Sequence, residues 1–161
     1  MSGLNPRLSI LDRLLDAAPE TPADQPASTV ELAARVRAAL RRDVEALLNA
    51  RRPWQSVPNH MPALRVSPLG FGLTDIAAGA FDDRHQREAL RAEVEEILHR
   101  FEPRLANLRV ELTGEASTLR TSLSLRIDAV LNVDPVREPI RFDTVVETAP
   151  TAVTLLPQQG R

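Results

Sequence analysis

A chain of 161 residues, 43% hydrophobic and 26% charged, can bury one sizeable core, so one domain with tails is expected and two full domains are not. Its 20 basic and 22 acidic side chains leave a formal net charge of −2, which offers no global attraction to nucleic acid or to an anionic membrane. The absence of cysteine excludes disulfides, thiol nucleophiles and thiolate metal sites, and no segment approaches the ~20 apolar residues that a membrane-spanning helix needs.

The N-terminus lacks a basic start followed by an unbroken apolar stretch, so a soluble cytoplasmic protein is the simplest expectation. Residues 9–16, "SILDRLLD", read as two turns of amphipathic helix, with Ser9 and Asp12 spaced as a capping box and Ile10, Leu11, Leu14 and Leu15 on an apolar side. A helix this short is unstable alone, and residues 17–28 read as an extended linker punctuated by Pro19, Pro22 and Pro26. Residues 1–28 are therefore expected to be a flexible docking peptide with a Pro-rich linker, tethered to one α+β domain over 29–157, with 158–161 as a tail.

Ser28 and Glu31 repeat the capping-box spacing, and Val30, Leu32, Val36, Leu40, Val44, Leu47 and Leu48 fall on one side of a helix running to about Ala50. Arg35 and Arg42 project from the opposite face, while Arg51 and Arg52 sit where cations complement the helix dipole. Asp43 and Glu45 interrupt that basic face, so it reads as solvated and not as a nucleic-acid patch. Pro53, Pro58, Pro62 and Pro68 make residues 53–75 irregular, and the "GFG" at 70–72 is too isolated to signal phosphate binding.

Asp83 with Gln86 marks the next helix start, and Leu90, Val94, Ile97, Leu98 and Phe101 form its apolar face. Pro103 sets its end. The residue before a proline is pushed out of the α region, so Glu102 leaves the helix and faces the following turn.

Beyond this point the apolar period becomes two. Residues 119–131 alternate Leu119, Leu123, Leu125, Ile127, Ala129 and Leu131 with Arg120, Ser122, Ser124, Arg126 and Asp128, the pattern of a long strand covered on one side. Leu108, Val110 and Leu112 predict a shorter strand before it, and Ile140, Phe142, Val146, Val153 and Leu155 predict one or two after it. Two amphipathic helices followed by strands indicate an α+β fold with a mostly antiparallel sheet of three to four strands.

Chemistry is sparsely signalled. His60, His85 and His99 lack any spacing that places two imidazoles on one metal, and His99 is expected in a surface ion pair with Glu95 or Glu96. Neither a metal nor another cofactor is expected, and no serine nucleophile motif occurs. Glycoside hydrolysis would pair Glu102 with Asp75, Asp128, Asp134 or Asp143 as the second carboxylate, but a capping or bridging role fits a helix end better.

"LRRDVEALLNARR" (40–52), "PLGFGLTDI" (68–76), "FEPRL" (101–105) and "EPIRFDTVVE" (138–147), in this order and spacing, resemble the baseplate family that includes the TssE subunit of type VI secretion systems and the phage tail wedge protein once labelled a lysozyme. "SILDRLLD" is similar to the short leader of the TssE branch, and the likeness spans nearly all of residues 8–156. Phe71, Gly72, Leu73 and Thr74 stand where the family usually has Tyr-Gly-Leu-Pro.

The resemblance implies a structural, non-enzymatic subunit that contacts other wedge proteins of the TssF, TssG and TssK type and seeds the contractile sheath, with no nucleic acid and no direct membrane insertion. The family's Glu-Pro-Arg signature falls on Glu102, Pro103 and Arg104, which with Leu11, Leu14 and Leu15 are the candidate partner-binding residues. A rigid proline between a carboxylate and a forked guanidinium suits a directed contact with another subunit. Two candidate surfaces for sheath pairing are the polar side of 120–128 and the strand region of 140–156. The competing reading is a peptidoglycan-cleaving enzyme with Glu102 as general acid. It demands a sugar-wide cleft and a second carboxylate, and the 3% aromatic content with no Tyr disfavours it.

Overall fold

The computed structural model describes residues 28–52, 60–74, 83–113, 122–134, 136–148 and 151–156. The leader with Leu11, Leu14 and Leu15, its linker, most of the "TGEAS" turn and the C-terminal tail lie outside the described residues.

Helix α1, Thr29–Asn49, starts at the expected capping box: the Ser28 hydroxyl accepts from the Glu31 N–H at 3.3 Å, and the Glu31 carboxylate accepts from the Ser28 N–H at 2.8 Å. Val36, Leu40, Val44, Leu47 and Leu48 are buried as the periodicity predicts. Val30 is a correction, being 77% exposed. Packing along α1 begins with Ala33 and Val36, so the first turn overhangs the core formed by the described residues.

The Pro-rich segment carries more order than expected from its composition. A one-turn helix α2, Pro62–Arg65, is followed by a 3-10 turn, Pro68–Gly70, and both open on a proline, at a position whose N–H has no helical partner anyway. The chain then runs back along the end of α1, where Leu73 N–H donates to Ala50 O at 3.0 Å and Arg52 N–H to Leu73 O at 2.9 Å.

Helix α3, Arg84–Phe101, is capped by Asp83, whose carboxylate accepts from the His85 N–H at 2.9 Å, and it buries Leu90, Val94, Ile97 and Leu98. Its carboxylates do not pair with His99 as expected: Glu95 binds Arg91 at 2.6 Å and Glu96 binds Arg100 at 2.5 Å. Both pairs have the four-residue spacing that places side chains on one helical face, and arginine reaches further than imidazole.

Four antiparallel strands follow in the order β1-β2-β3-β4: β1 Leu105–Thr113, β2 Ser122–Val133, β3 Val136–Thr148 and β4 Thr151–Leu155. β1 begins three residues earlier than Leu108 and contains an irregularity between Ala106 and Arg109, where Asn107 has φ 51°. Asparagine tolerates that left-handed conformation, which lets the strand bulge without breaking the pairing beyond it. β2 alternates strictly, with Leu123, Leu125, Ile127, Ala129, Leu131 and Val133 buried. Both helices lie on this apolar side, α3 against β1 and α1 against β4, and the core fills the space between the layers. The expected α+β fold of two amphipathic helices on an antiparallel sheet is what the structure shows.

The opposite side of the sheet is a charge checkerboard. Glu111, Arg126 and Asp143 lie side by side across three strands, and Arg109, Asp128 and Arg141 form the neighbouring row with every sign reversed. Arg126 binds Asp143 at 2.9 Å, Arg141 binds Asp128 at 2.6 Å and Arg109 binds Glu111 at 2.8 Å. Each charge faces its opposite directly across a strand pair, the favourable arrangement in a sheet.

Candidate functional site

The candidate site is the turn that leads from α3 into β1. Leu98 O accepts from Glu102 N–H at 2.9 Å, and Glu102 then leaves the helix with φ −123° and ψ 73°, as a residue preceding proline must. Glu102 O accepts from Leu105 N–H at 3.1 Å and Arg104 O from Asn132 N–H at 2.8 Å, so the turn is fixed to the sheet at both sides of Pro103.

Within this frame Glu102 and Arg104 face each other. Arg104 Nε donates to Glu102 Oε1 at 2.5 Å and Nη2 to Oε2 at 2.6 Å, the parallel fork that guanidinium and carboxylate planes favour. The same Nη2 donates to Asp43 Oδ2 at 2.7 Å, across 61 residues, and the other Asp43 oxygen accepts from Arg42 at 2.8 Å. Glu102 is 5% exposed. The Glu102 bond, followed by that from Asp43, raises the Arg104 pKa further above its already basic value against the opposing effect of burial.

The charges of the triplet are therefore engaged inside the molecule, where they fasten α1 to the turn. Pro103 is exposed and Arg104 is partly exposed. Beside them lies a groove of about 420 Å³ lined by Asp43, Ala46, Leu47, Phe71, Phe101, Glu102, Pro103 and Arg104. Phe71 meets Phe101 edge-on with ring centres 5.3 Å apart, so the "GFG" segment forms one wall. Its glycines serve backbone approach: Gly72 has φ 97°, and a Cβ there would lie 2.4 Å from Ala50 O.

Glu93 secures that wall from α3. Its carboxylate accepts from Arg52 Nη2 at 2.6 Å, from Thr74 N–H at 2.9 Å and from Thr74 Oγ1–H at 2.7 Å. Asp43, Phe71 and Glu93 were not candidates from sequence. Asp43 read as an interruption of a basic face, and the only signal of its role was the spare N–H that an arginine paired to one carboxylate retains.

The other carboxylates considered for hydrolysis are placed elsewhere. Asp128 and Asp143 belong to the checkerboard, Asp134 is exposed in the β2–β3 turn and Asp75 lies outside the described residues. Asp43 does share the groove with Glu102, but both Glu102 oxygens are engaged by the guanidinium, an arrangement of an ion pair and not of a proton donor aimed at a sugar. Among the described residues no cluster of three or more His, Cys, Asp and Glu can hold a metal ion, and no helix is long and apolar enough to cross a membrane.

The sheet edges also differ from expectation. β2 and β3 are inner strands, so the described part of 120–128, from Ser122 on, offers a face and not an edge, and of the strands within 140–156 β4 lies at the margin. α1 covers the outward backbone groups of β4 at Val153 and the Leu155 carbonyl. The Asn49 amide donates to Val153 O at 2.9 Å while accepting from Val153 N–H at 2.8 Å, as a neighbouring strand would, and Arg41 donates to Leu155 O and Leu156 O.

A helix pair on one side of an antiparallel sheet, with internally neutralised charge at the turn and on the open face, has the make-up of a structural domain. The profile of the family described as baseplate wedge protein gp25 matches residues 34–136, and the chain belongs to that family. Comparison with curated proteins gave no match. The family places this protein among the structural components of phage-like baseplates, which implies contact with other baseplate proteins and points away from an enzyme. The matched stretch includes α1 from residue 34 onward, the groove residues and the Glu102–Arg104 turn.

Proposed function

We propose that this protein is a TssE-type subunit of a cytoplasmic type VI secretion baseplate, binding wedge subunits of the TssF, TssG and TssK type and nucleating the contractile sheath. The observation that carries this reading is the Glu102-Pro103-Arg104 turn, held rigid by its own ion pair and by Asp43 within the stretch the family matches. A fixed, partly apolar prominence beside a groove gives a partner a preformed surface, which lowers the ordering cost of binding.

Pro103 and the rim of Arg104 supply the outward contact, while Glu102 orients the guanidinium from beneath. Leu11, Leu14 and Leu15 supply a second contact through the leader. Sheath nucleation proceeds by main-chain pairing at the β4 margin, which requires Asn49 and Arg41 to yield their bonds to an incoming strand.

The test is a paired assay on Glu102→Gln and Pro103→Ala, following sheath assembly in cells and peptidoglycan hydrolysis by the purified chains. Loss of assembly with no hydrolysis by the parent chain supports the proposal. Hydrolysis by the parent chain that Glu102→Gln abolishes assigns the enzymatic reading instead.

A further inference from the structure

Ala46, Phe71 and Pro103, three residues that line the groove, are solvent-exposed, and Leu47 and Phe101 complete its apolar walls. The charged residues of its floor are bonded to one another, Arg104 to both Glu102 and Asp43, so an apolar side chain entering the groove meets a compensated cluster. The volume, about 420 Å³, is within the range of sites that enclose a small ligand or several side chains.

The same chain carries a segment in need of such a surface. The sequence of residues 9–16 offers Ile10 with Leu14 and Leu11 with Leu15 at four-residue spacing, an amphipathic pattern too short to be stable as a helix alone. In that pattern Asp12, Arg13 and Asp16 fall opposite the leucines, so docking through the leucines leaves the charges in water.

The tether fits the distance. From Thr29 at the start of α1 to Asp43 and Leu47 at the groove is about 21–27 Å along the helix axis, at 1.5 Å per residue. Residues 17–27 reach about 36 Å when extended, enough to return along α1 and leave slack. The return path is low: Ala34 and Ala38 are exposed at positions four apart, and after Arg42 the same spacing arrives at Ala46 on the groove itself.

We infer that residues 9–16 dock in cis into the groove beside the Glu102–Arg104 turn of the free chain, with Leu11, Leu14 and Leu15 against Phe71, Phe101 and Ala46. Intramolecular tethering favours this occupant, because the linker holds the leader at a high effective concentration near the groove. The docking does not depend on the baseplate role. Within that role, it stores the leucines until a wedge subunit takes the turn and releases them.

Because the chain lacks cysteine, Asp12→Cys accepts a single nitroxide label on the full-length, isotope-labelled protein. The expected result is loss of most amide signal intensity at Ala46, Leu47 and Phe71, with the amides of Ser122–Ser124, at the end of β2 away from Arg104, least affected. Intensity returns when Leu11, Leu14 and Leu15 are replaced together by Asp, or when Ala46→Arg fills the groove; Ala46 is exposed, so that variant keeps the fold. Unchanged signals at Ala46 and Phe71, or broadening that both sets of substitutions leave in place, overturn the inference. Broadening that also appears when label and isotopes sit on different chains assigns docking in trans and overturns the cis arrangement. The sheath assembly assay reports separately on the baseplate role.

Discussion

Glu102 and Arg104 close on each other across Pro103 through bonds of 2.5 and 2.6 Å, and the same guanidinium reaches Asp43 at 2.7 Å. A sequence signature that reads as a pair of outward charges is thus a staple between α1 and the turn entering the sheet. Its outward part is Pro103, positioned by the charges beneath it.

Removing one carboxylate charge leaves a largely buried guanidinium with a weaker acceptor. Glu102→Gln is expected to cost about 1–3 kcal/mol. Each kcal/mol corresponds to a fall in Tm of about 2–4 °C for a domain of this size. Arg104→Lys should cost at least as much, since an ammonium cannot reproduce the fork to Glu102 and also reach Asp43. Asp43→Asn should cost less, because Asp43 is 28% exposed and shares its charge with Arg42. Urea unfolding of the three variants checks the order, and an Arg104→Lys variant as stable as the parent chain contradicts the staple.

The features legible in the sequence are those with local causes. Ser28 with Glu31, Asp83, and the buried alternation of β2 were set by neighbouring residues, and each was read correctly. What escaped depends on distant parts of the chain. Val30 continues an apolar stripe that the core does not reach, and Thr144 interrupts the apolar face of β3 yet is buried, its hydroxyl donating to Leu125 O at 3.3 Å. Asp43 and Asn49 read as ordinary polar helix residues until the turn and β4 come up beside them. Of the candidate site, the triplet was visible and its partners were not.

The covered margin of β4 can be tested through Asn49. Asn49→Ala removes the donor and acceptor for Val153, and each lost bond is worth about 0.5–1.5 kcal/mol. Hydrogen exchange at the Val153 amide should accelerate by about ten-fold for every 1.4 kcal/mol of opening free energy lost, with smaller changes in β2. The variant should also self-associate more readily than the parent chain, as exposed edges do. Unchanged Val153 protection counters the role of this amide.

Gly72 is expected to resist replacement more than the loop location suggests. Its φ of 97° lies outside the range of an L residue, and an added Cβ meets Ala50 O and Ala50 Cβ at 2.4 and 2.8 Å. The strain alone is about 1–3 kcal/mol, and relieving the contact must also disturb the Leu73–Ala50 bond. Gly72→Ala should lower the denaturation midpoint and displace Phe71, seen as changed ring signals at Phe101. A midpoint equal to that of the parent chain rules out the close approach.

The α1 capping box carries a pH dependence whose sign follows from Glu31. Bonds from the Ser28 backbone and hydroxyl, in that order, hold the Glu31 carboxyl below its ordinary range. A pKa depressed in the folded state contributes stability above the ordinary carboxylate value, and that contribution is lost as pH falls through the folded value. Ser28→Ala removes the hydroxyl acceptor for the helix N-terminus, a loss of about 1 kcal/mol at neutral pH. The hydroxyl also donates to Glu31 at 3.1 Å, so the gap between variant and parent should narrow once acid has protonated Glu31. Paired urea titrations at neutral pH and well below the carboxylate range measure the two gaps, and a gap that widens in acid contradicts the assigned bonds.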